Sequence, residues 1–296
     1  MNIKVTGCSG FIGQHLLSYF EQIDQINLLP CNRSEYTNID FNQINGVIHL
    51  AGLAHDTQNS NLVDQYYKVN FELTKHVFSQ FLKSDASIFI FVSSVKAACD
   101  RTSELVDETF EGIPVSAYGK SKRMAEDFIL SQVIPSTKKV FILRPSLIYG
   151  ENYKGNLDLL IKYISSGKSW PLGRFNNRRS FCSINNFSFV IERILLGKLS
   201  LSGTYNVSDS ESISTNELVK IISKSLCINT KIYHIPKFLI NFIALIGDFF
   251  PLPLNSVRLS KLTESFMVSN KKLIDALGEP LPITTENGLR KLVKLK

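Results

Sequence analysis

Three glycines within seven residues, Gly7-Cys8-Ser9-Gly10-Phe11-Ile12-Gly13, follow directly on the apolar run Ile3–Thr6 and open the amphipathic pattern Phe11–Phe20. A strand that turns at once into a helix through glycines leaves few folds open. Missing side chains let the backbone turn tightly and come close to a pyrophosphate, whose charge a helix N-terminus stabilises. In this strand-to-helix setting the motif predicts a dinucleotide site on Gly7, Gly10, Phe11, Ile12 and Gly13.

The alternation continues through the first half. Ile26–Leu29, Val47–Leu50, Ile88–Val92 and Val140–Leu143 read as buried strands. Asp64–Leu82 and Ala117–Ser131 are long enough for the helical crossovers that parallel strands require. This predicts an α/β chain, with a Rossmann-type doubly wound parallel sheet over 1–149 and a smaller mixed α/β C-terminal substrate lobe. After Arg144-Pro145 the elements shorten and Gly, Pro and Asn scatter, with a capping box Ser214-Thr215-Asn216-Glu217 ahead of Leu218–Leu226. The second lobe is placed at 150–175 and 203–296, with 176–202 packing back on the dinucleotide domain. Neither an internal repeat nor a low-complexity linker separates the lobes, so the functional cleft is expected between them.

Composition narrows the partners. With 44% hydrophobic and 20% charged residues, disorder, collagen and disulfide-scaffold classes are excluded. A net charge of +7 without a block of five like charges suits an anionic ligand and does not call for nucleic acid. Five widely spaced cysteines, and an opening that reaches glycine before an apolar stretch builds up, fit a reduced, cytoplasmic protein without a secretory signal. The apolar segment 238–250 is broken by Asn241 and Asp248 and is too short for a transmembrane segment, leaving packing on its own protein or peripheral membrane contact. His15, His76 and His234 have no ligand-spaced partners, and His49 and His55 at most flank the cofactor loop, so no metal site is expected.

Asp40-Phe41 and His49-Leu50-Ala51-Gly52 fall at strand ends that would line an adenine and its ribose. Ser93-Ser94 ends another strand, and Tyr118 and Lys122 stand four residues apart on one helix face. An ammonium beside a phenol lowers the phenol pKa, which suits Tyr118 to exchange a proton with an alcohol or sugar oxygen. Ser94 would hydrogen-bond the same oxygen.

At these residues the chain resembles the extended short-chain dehydrogenase/reductase family, in its nucleotide-sugar epimerase, dehydratase and reductase branch, over essentially its whole length. The resemblance implies Ser94, Tyr118 and Lys122 as catalytic residues. Asn70, in Lys68-Val69-Asn70-Phe71-Glu72-Leu73-Thr74, and Pro145, in Arg144-Pro145-Ser146-Leu147-Ile148-Tyr149-Gly150, match family positions around the cofactor, as does Ser93. Lys154-Gly155-Asn156 and Asn177-Arg178-Arg179-Ser180-Phe181 match segments that hold the nucleotide diphosphate in relatives. The expected substrate contacts are Ser94, Lys96, Asn156, Arg179 and Arg258, the Arg179 fork being suited to phosphate.

Three departures bear on the reaction. Ser94-Val95-Lys96 stands where family dehydratases carry an Asp-Glu pair, and Ala98 stands where glucose-type epimerases commonly carry tyrosine. The second strand runs into Asn32-Arg33 without a carboxylate for a ribose 2'-hydroxyl, so Arg33 invites a 2'-phosphate. Ser93-Ser94-Val95-Lys96, Pro171-Leu172-Gly173 and Asn177-Arg178-Arg179-Ser180 resemble bacterial polysaccharide-biosynthesis reductases of 4-keto-6-deoxy-N-acetylhexosamines. The expected activity is therefore NADP(H)-dependent reduction of a UDP-linked 4-keto sugar. The alternative is C4-epimerisation of a UDP-hexose or UDP-N-acetylhexosamine with retained NAD(H), and a dinucleotide-sensing protein is a remote third. The apolar faces of the Asp64 and Ala117 helices offer a homodimer bundle, as in relatives.

Overall fold

Short runs of Ile, Val, Leu and Phe build a sheet in the order β2 (Asn27–Cys31), β1 (Asn2–Thr6), β3 (Gly46–His49), β4 (Ile88–Val92), β6 (Lys139–Pro145) and β9 (Gly203–Val207). The structure is a computed structural model that describes residues 1–53, 63–153, 155–250 and 254–295. His55 and Lys154 lie outside the described residues. All five strand pairings of this sheet are parallel, as the glycine turn and the helical crossovers imply.

The strands alternate between two cores. Ile90 and Val92 of β4 pack with Phe141 and Leu143 of β6, Leu16 of α1 (Phe11–Phe20) and Phe187 of α6 (Ile184–Leu195). Phe89 and Phe91 face the other way, onto Phe78 and Phe81 of α3 (Leu73–Lys83) and Ala125 and Ile129 of α4 (Ala117–Leu130). Burial on both faces explains why these strands read as unbroken apolar runs. Emptying one fully buried ring, as in Phe89→Ala, would cost about 3–5 kcal/mol.

Register positions the site. Thr6 pairs with Cys31 and His49, and Val92 with Leu143, so the chain leaves β1, β3, β4 and β6 at one edge of the sheet. That carboxyl edge is where open α/β sheets bind ligands. Between α2 (Val63–Tyr66) and α3 the helix is π-wound over Tyr67–Glu72, where the sequence pattern predicts one uninterrupted helix. Such π turns occur often at functional sites, and this one carries Asn70.

A second core joins Trp170, Leu172, Ile213 and residues of α5 (Asn156–Ser165), α7 (Thr215–Ser225), α8 (Lys237–Phe249), α9 (Ser256–Thr263) and α11 (Thr285–Lys294). The parallel pair β7 (Leu147–Tyr149) and β8 (Phe181–Ser183) lies beneath it. The capping box on Ser214 and Glu217 starts α7 as its sequence predicts, and α6 packs back on the first core.

The boundary at 203 requires correction. Gly203–Val207 pairs along β6 and supplies the sixth strand of the central sheet, although the sequence reading places it in the second lobe. Leu273 of α10 (Lys271–Leu277) also belongs to the first core. β5 (Leu105–Val106) and β10 (Met267–Val268) pair across the two lobes.

Candidate active site

Gly7 leaves β1 with φ +77°, and a Cβ there would lie 2.7 Å from the backbone nitrogen of Ala51. A Cβ on Gly13 would stand 2.6 Å from the carbonyl oxygen of Gly7. Only glycine allows this turn to close against both the β3 loop and its own helix. The result is the floor of a cleft of about 560 Å³, whose lining includes Gly7, Gly10, Phe11, Ile12, Gly13, Leu50, Gly52, Ser93, Tyr118, Lys122 and Pro145. Ser94, Lys96 and Arg179 line it as well.

The loop after β3 is fixed from below by a proton-ordered chain. Thr74 donates its hydroxyl to the Asn70 carbonyl at 2.8 Å, so its oxygen accepts from His49 Nε2 at 3.0 Å. The opposite ring nitrogen, Nδ1, then accepts from Thr6 Oγ1 at 2.7 Å, while Thr6 Oγ1 accepts from the Ala51 amide. Burial, followed by the nearby Lys122 charge, lowers the His49 pKa to about 3 and keeps the ring neutral. Above it, Asn70 accepts from the Leu53 amide and donates to the Leu53 carbonyl and to Ser121 Oγ. Asn70 thus clamps the β3 loop to α4 without lining the cleft.

The N-terminus of α4 is held by three bonds to one carboxylate. Asp100 accepts from the amides of Val115 and Ser116 and from Ser116 Oγ, at 2.6–2.8 Å. Ser116 Oγ in turn caps the helix by accepting from the Gly119 amide. Burial raises the Asp100 pKa, but these bonds outweigh it and hold the carboxyl below its usual range. Tyr118 follows two residues later, its ring 6.1 Å from that of buried Tyr66.

Lys122 stands one turn further along α4, 4% exposed. Its ammonium donates to the Val92 carbonyl at 2.8 Å and lies 4.9 Å from the Phe91 ring centre. Burial lowers its pKa to about 8, while the charge of Glu126 works in the opposite direction. Glu126, fully buried, forms a two-oxygen pair with Arg144 of β6. Among the described residues the lysine has no carboxylate within ion-pair distance, its ammonium being held by the Val92 carbonyl.

Arg178 is turned to Ser212, whose carbonyl it meets at 2.6 Å, while Arg179 lines the cleft and donates through Nε to the Glu264 carbonyl at 2.8 Å. Arg101 and Glu264 pair at 3.1 Å across the two lobes at the cleft wall. Several expected contacts lie off the cleft lining. Arg33 and Asp40 are exposed, Phe41 packs on the core beneath α3, and Ala51 is buried in the β3 loop. Asn156 opens α5, and Arg258 is exposed on α9. Asp100, Glu126, Arg101 and Glu264 are additions that the sequence reading did not single out. Of these only Glu126 had a local signal, its place four residues after Lys122 on the same helix face.

The profile described as "Epimerase: NAD dependent epimerase/dehydratase family" matches residues 3–208. The chain belongs to the NAD dependent epimerase/dehydratase family. Within this family it is 28% identical to a UDP-glucose 4-epimerase of Vibrio cholerae, over 98% of this chain and 93% of the relative. It is likewise 28% identical to an N-acetyl-alpha-D-glucosaminyl-diphospho-ditrans,octacis-undecaprenol 4-epimerase of Escherichia coli O157:H7, over 79% and 75% of the two chains. Among solved structures, RMD from Pseudomonas aeruginosa complexed with NADPH shares the fold, with a TM-score of 0.76, 20% identity and coverage of 99% and 97%. The family's nicotinamide dinucleotide suits the residues present: besides the glycine cradle, Ser93 Oγ and Ser146 Oγ are buried at the cleft without a hydrogen-bond partner among the described residues. The chain is thus an enzyme of this family, with a nicotinamide dinucleotide as its cofactor class.

Proposed function

We propose that the chain reduces the C4 ketone of a UDP-4-keto-6-deoxy-N-acetylhexosamine with NADPH, for surface polysaccharide synthesis. The observation that carries this reading is the state of the two carboxylates lining the cleft. Asp100 is committed to Val115 and Ser116, and Glu264 to Arg101 and Ser260. Elimination of water needs an acid and a base next to the sugar, and neither carboxylate is placed to serve. The hydroxyl of Ser94, the phenol of Tyr118 and the ammonium of Lys122 line the cleft and suit hydride and proton exchange at a sugar carbonyl instead.

The backbone of Gly7 and Gly10–Gly13 would hold the pyrophosphate at the N-terminus of α1, with Lys122 at the ribose and Ser93 and Pro145 beside the nicotinamide. When bound, the reduced nicotinamide supplies a hydride to the carbonyl carbon. Tyr118 donates the proton that completes the new hydroxyl, and Ser94 hydrogen-bonds the same oxygen. Lys122 stabilises the phenolate left behind, since a nearby positive charge favours the deprotonated phenol. Arg179 pairs with the nucleotide diphosphate.

C4-epimerisation is the second reading, favoured by the 4-epimerase names of the two relatives described above. It uses the same residues but retains its dinucleotide. The separating experiment supplies UDP-4-keto-6-deoxy-N-acetylglucosamine and NADPH deuterated at the transferable position. One cofactor oxidised per sugar, with deuterium at C4, is expected. Interconversion of UDP-glucose with UDP-galactose, or of their N-acetylamino counterparts, without net oxidation would establish the epimerase instead.

A further inference from the structure

The helix α8 turns the wrong chemistry outward for a face in water. At about 100° per residue, its buried residues Ile240, Ala244 and Gly247 fall within about 60° of one another. Opposite them, from Leu245 through Phe238, Phe249 and Phe242 to Ile243, runs an apolar face about 160° wide. Phe238 is 75% exposed, Phe242 59% and Phe249 86%. No charged residue lies between Lys237 and Asp248, and Asp248 is turned to the start of α9, accepting from the amide and hydroxyl of Ser256. Scattered exposed apolar residues are ordinary, but a continuous convex ridge of this size marks an interaction surface.

Its shape and charge select the partner. The ridge lies on the side of α8 opposite its buried residues Ile240, Ala244 and Gly247. Lys237 opens α8 and Asp248 is near its end, while Arg258 and Lys261 belong to the neighbouring α9. Lys237 lies 5.6 Å from the centre of the Phe175 ring, and α9 packs along α8. Phenylalanines and leucines on a helix edged by cations describe an element that lies in the plane of an anionic bilayer surface. At 13 residues, or about 20 Å, α8 is short of the roughly 30 Å hydrocarbon core. No helix of the described residues is long and apolar enough to cross a membrane.

We infer that α8 docks the enzyme on an anionic phospholipid surface, with Phe238, Phe242, Leu245 and Phe249 in the acyl boundary and the cations of α8 and α9 at the headgroups. α9 runs directly on to Glu264, Ser265 and Phe266, which line the cleft. Docking would therefore hold the substrate side of the cleft one short helix from the lipid. This inference stands on α8 and α9 alone and is independent of the reductase reading.

The test is co-sedimentation of the full chain with vesicles of phosphatidylethanolamine and phosphatidylglycerol, against vesicles of phosphatidylcholine. Binding to the anionic vesicles is expected, weakened by high salt and reduced at least tenfold in the double variant Phe242→Ser/Phe249→Ser. Both side chains are exposed, so an unchanged melting temperature is expected, and Leu245→Glu serves as a second probe should the double variant not fold. Protein that stays in the supernatant with both vesicle types overturns the inference. So does equal binding to phosphatidylcholine, or anionic binding that none of the variants weakens. A concentration-dependent doubling of mass that Phe242→Ser/Phe249→Ser abolishes, without lipid binding, would assign the ridge to a second copy of the chain instead.

Discussion

The ammonium of Lys122 donates to the carbonyl of Val92 at 2.8 Å, at the last residue of β4 before Ser93 and Ser94. One bond thus ties the helix that carries Tyr118 to the strand end that carries the serines. It also places a charge where the fold does not favour one. With its pKa lowered to about 8 by burial, against an ordinary 10.5, the folded lysine releases its proton earlier than the unfolded one. Between these values the unfolded chain binds more protons, so this group's contribution to stability rises with pH. Below about pH 8 the fold carries the full cost of the buried ammonium, about 3 kcal/mol. Lys122→Met is therefore expected to melt higher than the parent at pH 7 without ligands, with the gap narrowing towards pH 10, and to have lost activity. A gap that does not change with pH would show that the lysine is not desolvated.

Tyr118→Phe removes a single hydroxyl from a half-buried ring. Turnover is expected to fall by about 10² to 10⁴, the range for loss of a positioned proton donor, with dinucleotide affinity nearly unchanged. Single-turnover kinetics and cofactor titration together check this. Full activity in Tyr118→Phe would remove the phenol from the chemistry.

How much of this was legible before folding depended on distance along the chain. The glycine turn, the helix Phe11–Phe20 and the Tyr118–Lys122 pair are local patterns, and the structure reproduces them. β9 was not legible, because Gly203-Thr204-Tyr205-Asn206-Val207 has glycine and asparagine in place of an apolar run, and only its pairing with β6 makes it a strand. Asp100 is in the same position. Its role depends on Val115 and Ser116, which are brought to it by a loop of about fifteen residues, and no spacing rule marks such a contact. His49 was legible as a strand-end residue, but its function as a neutral link between Thr6 and Thr74 needs two strands and a helix in place.

Arg33 opens a short 3₁₀ turn directly after β2 and is exposed there, while nearby Glu35 is drawn to Asn32 and, at 3.6 Å, to Lys4. With the closest carboxylate so engaged, NADPH is expected to bind more tightly than NADH by about tenfold or more, the scale of a charged hydrogen bond. Arg33→Asp should reverse the order. Titration of both cofactors against parent and variant decides it, and an unchanged preference would show that Arg33 does not meet the ribose.

Arg179 is expected to act on the diphosphate alone. Arg179→Ala should weaken free UDP by about 1.5–3 kcal/mol and leave NADPH affinity unaltered. Its Nε bond to the Glu264 carbonyl aligns the guanidinium, so Arg179→Lys, which lacks the planar fork, should recover only part of the loss. Calorimetry with UDP reads this directly, and UDP affinity equal to the parent's would place the diphosphate elsewhere.

Asp209 sets a pH dependence that has nothing to do with catalysis. Its carboxylate accepts from the Ser183 amide at 2.8 Å, Asn186 Nδ2 at 2.7 Å and the Tyr149 hydroxyl at 2.9 Å. Burial nevertheless dominates these bonds and raises its pKa from 3.8 to about 6. A carboxyl that holds its proton more tightly when folded contributes stability that is complete below about pH 4 and is lost as pH rises through 6. By pH 7 that loss amounts to about 3 kcal/mol. Asp209→Asn keeps one oxygen to accept from Ser183 and Asn186, and its amide can donate to the Tyr149 oxygen, so the network survives without the charge. Melting curves of parent and variant from pH 4 to 7 should therefore diverge, with the parent declining relative to Asp209→Asn across the window. Parallel curves would mean that the carboxyl titrates in the folded protein as it does in the unfolded chain.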